Sequence, residues 1–276
     1  MAPSPQLRAI AVLPSLATLE GLYHLAKREG DEAGGHNKIS EKLKPTHDQA
    51  ITLAVIGAYA VGILILWWMP VLKHLLKPFK LATVLLHEFS HAAVGCCTGA
   101  RIEGISLNLD EGGETRMKKG IQQCVLPAGY LGSSFFGALM VFAGFEVLKS
   151  KIASVILGVI LLITLFWADD WLTRGLTVLF VGLIIGLWFT PHGVGLKYFV
   201  LFMGVMSCLY SLWDILDDLV FRKEYDSDAT KMAQLCCCSS RICGLLWFLI
   251  SLMFLTGAIL GGLAAFKNDP AVNSSK

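Results

Sequence analysis

The segment His87-Glu88-Phe89-Ser90-His91 sets two imidazoles four residues apart, with a carboxylate beside the first. On an α-helix, positions four apart lie one above the other, so both rings can address a single point. Neutral imidazole nitrogen suits tetrahedral Zn²⁺. The glutamate is then placed as general base for a water held by the metal, whose pKa zinc lowers to about 7. This is the HExxH pattern, and residue frequencies give it roughly a one per cent chance of arising by accident in such a chain. Its setting adds weight, because an apolar run, Leu81-Ala82-Thr83-Val84-Leu85-Leu86, leads directly into it. A charged group at mid-bilayer costs about 2.5–3.5 kcal/mol on insertion scales, and a helix does not carry such a cluster without a partner or a function. The expectation is a zinc site with His87 and His91 as ligands and Glu88 as the catalytic base.

A catalytic zinc takes a third protein ligand and keeps one open position. The other apolar segments offer few acids. Glu146 stands alone near a helix end, and Asp169-Asp170 beside Trp171 read as a solvated turn. Asp214, Asp217 and Asp218 fall at spacings of three and four, on one helix face near the end of an apolar run. Asp214 lies deepest, between Trp213 and Ile215, and is the first choice for the third ligand. Asp217 and Asp218 read as an exposed helix end and stay as alternatives. Ser90 and Thr115 are oxyanion-stabilising donors by polarity alone, with helix packing the plainer reading for Ser90.

These residues need a frame, and composition says which kind. The chain has 276 residues, 55% hydrophobic and 16% charged, with a mean hydropathy of +0.62. Soluble domains carry about a quarter charged residues. The apolar residues gather into runs near the roughly 20 residues that cross a bilayer as helix, which predicts an all-α polytopic membrane protein. The runs are Ile51–Leu72, Leu81–Gly99, Val125–Leu148, Ile152–Ala168, Trp171–Phe189, Leu196–Leu219 and Ile242–Phe266, about seven transmembrane helices. Lys73, Lys77, Pro78 and Lys80 form a basic hinge before the second. Between the second and third, Arg101–Gln123 is polar, with Ile102, Ile105, Leu107 and Leu109 alternating roughly as in a strand and Gly112-Gly113 supplying a turn. That predicts a short β-hairpin or re-entrant loop after the HExxH helix.

Three regions follow: residues 1–49 as a cytosolic or interfacial segment, 50–266 as the membrane-embedded domain, and 267–276 as a short polar tail. The stretch Ala9–Ala26 reads as an interfacial helix. Lys and Arg concentrate in segments that share a side with the N-terminus, which predicts a cytosolic N-terminus. The sequon Asn273-Ser274-Ser275, if modified, agrees by placing the tail on the lumenal side. A net charge of +2 gives no ground for a nucleic-acid partner. The eight cysteines form no CxxC pair, and the Cys236–Cys238 run between two spans suits either palmitoylation or packing as free thiols.

Taken in order, these pieces resemble the M50 (site-2-protease-like) metallopeptidases, specifically the M50B-like branch. The resemblance rests on HEFSH in an apolar helix and a polar hairpin with Gly112, Gly113 and Thr115. It continues through Gly129-Tyr130-Leu131-Gly132 at the start of the next span, then Leu209-Tyr210 with Asp214, and Ser227-Asp228-Ala229. It implies zinc held by two histidines and an aspartate of a later helix, a glutamate base, and cleavage of a membrane-embedded peptide. Carried over, these are His87, His91, Asp214 and Glu88. One departure is that the better-known site-2 proteases carry an Asn-Pro segment and a Leu-Asp-Gly motif around the third ligand. Here the context is Leu212-Trp213-Asp214-Ile215-Leu216. The leading expectation is a zinc-dependent intramembrane endopeptidase, with a transmembrane peptide as substrate, possible strand addition along the hairpin, and the bilayer as surroundings. The alternative is a non-catalytic scaffold or metal transporter retaining the motif. Polar groups gathered at one place suit a site better than a transport route.

Overall fold

The computed structural model describes residues 43–110, 112–220 and 227–266. The interfacial helix expected at Ala9–Ala26, the polar tail and the sequon lie outside them. Within the described residues the chain is helical apart from one small hairpin. Its elements are α1 (His47–Trp68), α2 (Lys73–Cys97), β1 (Arg101–Leu107), β2 (Gly113–Lys118), α3 (Gln122–Ala143), α4 (Val147–Trp167), α5 (Trp171–Trp188), α6 (Val194–Val220), α7 (Asp228–Cys236) and α8 (Ser240–Ala265). A 3₁₀ turn at Pro191–Gly193 leads into α6. Six helices, α1, α3, α4, α5, α6 and α8, are long and apolar enough to cross a membrane. The chain is therefore a multi-pass integral membrane protein.

The seventh expected span, Leu81–Gly99, falls in α2, which is not among those six. It begins at Lys73 rather than Leu81, so the expected basic hinge is a pair of helical turns containing Pro78. The link from α1 is the shorter Met69–Leu72 stretch. Lys80 is buried, with its Nζ 3.9 Å above the Trp67 ring. An apolar stem and a cation over an aromatic face let a lysine lie inside. Helix α7, which was not expected, is short and polar and starts from a Ser227 cap that accepts the Thr230 amide.

The interior is built around α3 and α6, with α2 packed on both and α8 on α3. Small residues let α3 and α6 approach closely. A Cβ at Gly204 would stand 2.7 Å from the Val141 amide nitrogen and 2.8 Å from the Gly137 oxygen. Buried hydroxyls bridge the same contact: Ser207 donates to the Ser133 carbonyl at 2.9 Å, and Ser133 and Ser211 meet at 2.8 Å. Such hydrogen bonds join helices where apolar burial alone gives little drive. Gln49 closes the far end, donating to the Leu263 carbonyl at 3.1 Å.

The expected hairpin is present. β1 and β2 pair antiparallel, with a bulge between Ile102 and Gly104. The extra residue accounts for the three-residue step between Ile102 and Ile105 in an otherwise alternating pattern. Ile105 and Leu107 are buried, whereas Leu109 in the turn is exposed. The outer edge of β1 is fastened to the turn between α4 and α5. Ile105 bridges Ala168, the Asp169 amide donates to the Ile105 carbonyl at 3.0 Å, and the Leu107 amide reaches Thr173 Oγ1 at 3.0 Å. Asp169 and Asp170 are thus more than a solvated turn: Asp169 pairs with Arg116, and Asp170 caps α5 through the Thr173 amide at 3.0 Å. Among the described residues no third strand pairs with β2.

Candidate metal centre

Helix α2 projects His87 and His91 to one point, as their spacing demands. Their Nε2 atoms are 2.9 Å apart. His91 Nδ1 lies 2.8 Å from the Val125 carbonyl oxygen at the start of α3. A carbonyl only accepts, so Nδ1 carries the proton and Nε2 presents its lone pair. This arrangement of a ring N–H on a backbone carbonyl orients metal-ligating histidines.

The third group at this point is Asp228, the first residue of α7. Its Oδ2 is 3.1 Å from His87 Nε2 and 3.0 Å from His91 Nε2. His87, His91 and Asp228 form a group able to hold a metal ion. Asp214, the expected third ligand, lines the same cavity with Asp217 and Asp218 but does not belong to this group. α7 brings its own N-terminal carboxylate to the histidines. Asp218 accepts from Tyr130 Oη at 2.7 Å, and the Tyr130 ring packs edge-on 4.8 Å from His87.

The donor set fits a divalent cation. Two imidazole nitrogens and a carboxylate oxygen converge, and without a proton or a cation between them their lone pairs oppose one another. Burial works against the charged form of Asp228, but with no cation bound, protons on the facing nitrogens of His87 and then His91 outweigh it and hold the carboxyl below the usual range, and a metal ion would take the place of those protons. It therefore stands as a carboxylate, the ligating form. Gly129 leaves the space. A Cβ there would come within 2.6 Å of His87 Cε1 and nearer still to both Nε2 atoms.

Glu88 is buried, next in sequence to His87. Its carboxylate accepts from Thr115 Oγ1 of β2 at 2.6 Å. The surrounding cavity has a volume of about 800 Å³ and is lined by β2, by the acids of α6 and by Asp228 of α7. Trp67, Tyr210 and Trp213 wall it as well, the Trp67 ring 5.7 Å from Tyr210 and 5.8 Å from Trp213. Two catalytic expectations thus meet in space: the histidine pair and the glutamate.

Asp228 was legible as part of a motif but not as a member of the group around His87 and His91. Depth in an apolar span favoured Asp214, whereas Asp228 opens a polar helix of nine residues. The signal that marks it is Ser227 as N-cap directly before an acid, which starts a helix and aims its first side chain.

Residues 56–258 match the family model described as Peptidase M50B-like. No curated protein and no solved structure matches the chain.

Proposed function

The chain belongs to the M50B-like peptidase family, and from that premise we propose that it is a zinc-dependent intramembrane endopeptidase. His87, His91 and Asp228 are the metal ligands in this reading, and Glu88 is the general base. The observation that carries it is the convergence of three ligand atoms beside a buried glutamate, in a cavity large enough for a peptide. Zinc bound there would polarise the scissile carbonyl and bring the pKa of water to about 7. The protein's own groups do the rest. Glu88 takes a proton from the attacking water and returns it to the departing amine. The Val125 carbonyl holds His91 in the ligating tautomer. The open edge of β2 suits an unwound substrate segment by strand addition, with backbone hydrogen bonds for affinity and side-chain pockets for choice. The substrate in this reading is a membrane-embedded peptide.

The first test is zinc content of the purified full chain in detergent. Wild type and Glu88→Gln are expected to hold close to one equivalent. Asp228→Ala loses it, His87→Ala loses it, and Asp214→Ala keeps it. The Glu88→Gln protein is then assayed on single-span peptides carrying a donor–quencher pair across the span. Zinc retained with cleavage lost supports the protease. Cleavage at the wild-type rate by Glu88→Gln would leave a metal-binding scaffold instead.

A further inference from the structure

Strand β2 rests one face on α2. Residues 113, 115 and 117 are half-buried and 114, 116 and 118 exposed, the period of a strand with one covered face. Met117 lies against Gly95, where a Cβ would be 3.1 Å from its Sδ. The other two inward positions both meet Glu88. A Cβ at Gly113 would stand 2.6 Å from Glu88 Oε1 and 2.7 Å from Glu88 Cγ. Thr115 Oγ1 is 2.6 Å from Glu88 Oε2 and 3.0 Å from the Glu88 carbonyl. A hydroxyl has one hydrogen to give, and a carboxylate is the stronger acceptor. That proton is therefore committed to Glu88, and Thr115 is not a free oxyanion donor.

The strand is itself anchored. Its partner β1 is bound to the α4–α5 turn through Ile105, Leu107 and Asp170. Glu88 is held between a helix that fixes its Cα and a hairpin that fixes its carboxylate. Resting on the protease reading above, we propose that Thr115 is a positioning residue for the general base. It pins Glu88 Oε2, leaving Oε1 as the oxygen that handles the proton, and so ties the base to the strand along which substrate would lie. A base set to within hydrogen-bond reach is what acid–base catalysis requires, and small displacements of positioned groups carry large rate penalties.

The test uses full-length protein in lipid nanodiscs, loaded with zinc, and acetohydroxamate as the probe. A hydroxamate on zinc passes its proton to the neighbouring base, so its affinity reports where Glu88 stands without any turnover. Thr115→Val is expected to weaken acetohydroxamate by about 10–100-fold, the range for losing a group that orients a metal site. Zinc stoichiometry stays at the wild-type value, and Thr115→Ser restores binding. In a Glu88→Gln background, Thr115→Val has no further effect. With a cleavable single-span peptide, kcat falls while KM holds. Gly113→Ala, which displaces Glu88 and leaves the hydroxyl in place, weakens the probe too and calibrates its response to base position, and Thr115→Ala, with the same expected weakening, takes the place of Thr115→Val should that variant fail to fold. Equal hydroxamate affinity in wild type and Thr115→Val, or a serine variant as weak as the valine one, overturns the positioning role alone. A wild-type chain that holds no zinc overturns the protease reading and this one together.

Discussion

Replacing Gly129 by alanine adds one methyl group at the place where the two histidines converge. The new carbon would lie 2.6 Å from His87 Cε1 and closer to both Nε2 atoms. Non-bonded carbon contacts settle near 3.5–4.0 Å, so each ring must retreat by about 1 Å. Metal–ligand distances tolerate only about 0.2 Å. His91 has little freedom to withdraw, because its ring is buried and its Nδ1 is bound to Val125 at 2.8 Å. Two of three ligands are thus displaced by several times the tolerance. The expected loss of zinc affinity is at least about 100-fold, or about 2.7 kcal/mol. Helix stability cannot explain such a loss, since alanine is favoured over glycine in a helix by about 1 kcal/mol. The assay is zinc retention against a graded chelator series, read by elemental analysis, with circular dichroism to verify the helices. Gly132→Ala is the control. Three residues along α3 from Gly129, its Cβ would collide with Ser90 of α2, which is not among the converging groups, and zinc affinity is expected to stay near that of wild type. Wild-type zinc affinity in Gly129→Ala would refute the geometry of the centre.

Two further substitutions probe the frame. Burial raises the Asp170 carboxyl, but hydrogen bonds from Thr173 and the Leu107 amide outweigh it and leave its pKa lowered. The unfolded value is about 3.9, so its contribution is complete above that pH and disappears as pH falls through the lower folded value. Asp170→Ala should cost about 0.5–2 kcal/mol as a lost cap. In thermal unfolding the gap to wild type is constant from pH 7 to about 5 and closes below about 4; a gap that persists at low pH sinks this account. Gly204→Ala drives a methyl group into the α3 backbone, at 2.7 Å from the Val141 nitrogen. Overpacking of this kind costs about 1–3 kcal/mol, and an unchanged melting temperature in detergent would mean that the helices separate freely there.

Much of this architecture could be read from residue order, because a bilayer imposes length and apolarity on each span. The runs beginning at Ile51, Val125, Trp171 and Ile242 each correspond to a helix with ends shifted by a few residues. The hairpin was visible through Gly112-Gly113 and the apolar alternation. What failed was depth. Lys73–Lys80 looked like a surface hinge because lysines are costly in lipid, yet the helix starts there and Trp67 covers Lys80. Asp214 was the expected ligand as the innermost acid of its helix, whereas the carboxylate that meets the two histidines is that of Asp228. Sequence spacing measures position along one helix and says nothing of a carboxylate arriving from another element. The contact between Thr115 and Glu88, 27 residues apart, was beyond reach for the same reason.

The placement of α2 resolves the apparent cost of its polar cluster. Insertion penalties apply to groups that face lipid, and the stretch around the motif does not. Thr83, Glu88, Ser90 and His91 are all buried within protein, while α1, α4, α5 and α8 keep many large apolar side chains exposed on the outside. α2 falls short of the apolarity that marks the other spans, and it can do so because α3, α6 and the hairpin surround it. Each polar group there has a local partner: Ser90 donates to Leu86 at 2.6 Å, Thr83 to Lys80 at 2.7 Å, and Glu88 accepts from Thr115. The cavity beside them is walled mainly by charged and polar groups from the hairpin, α6 and α7, a setting that water can occupy. The arrangement that shelters His87, Glu88 and His91 thus sets a polar, water-accessible cavity among helices whose outer faces are apolar, the setting that the proposed hydrolysis would need.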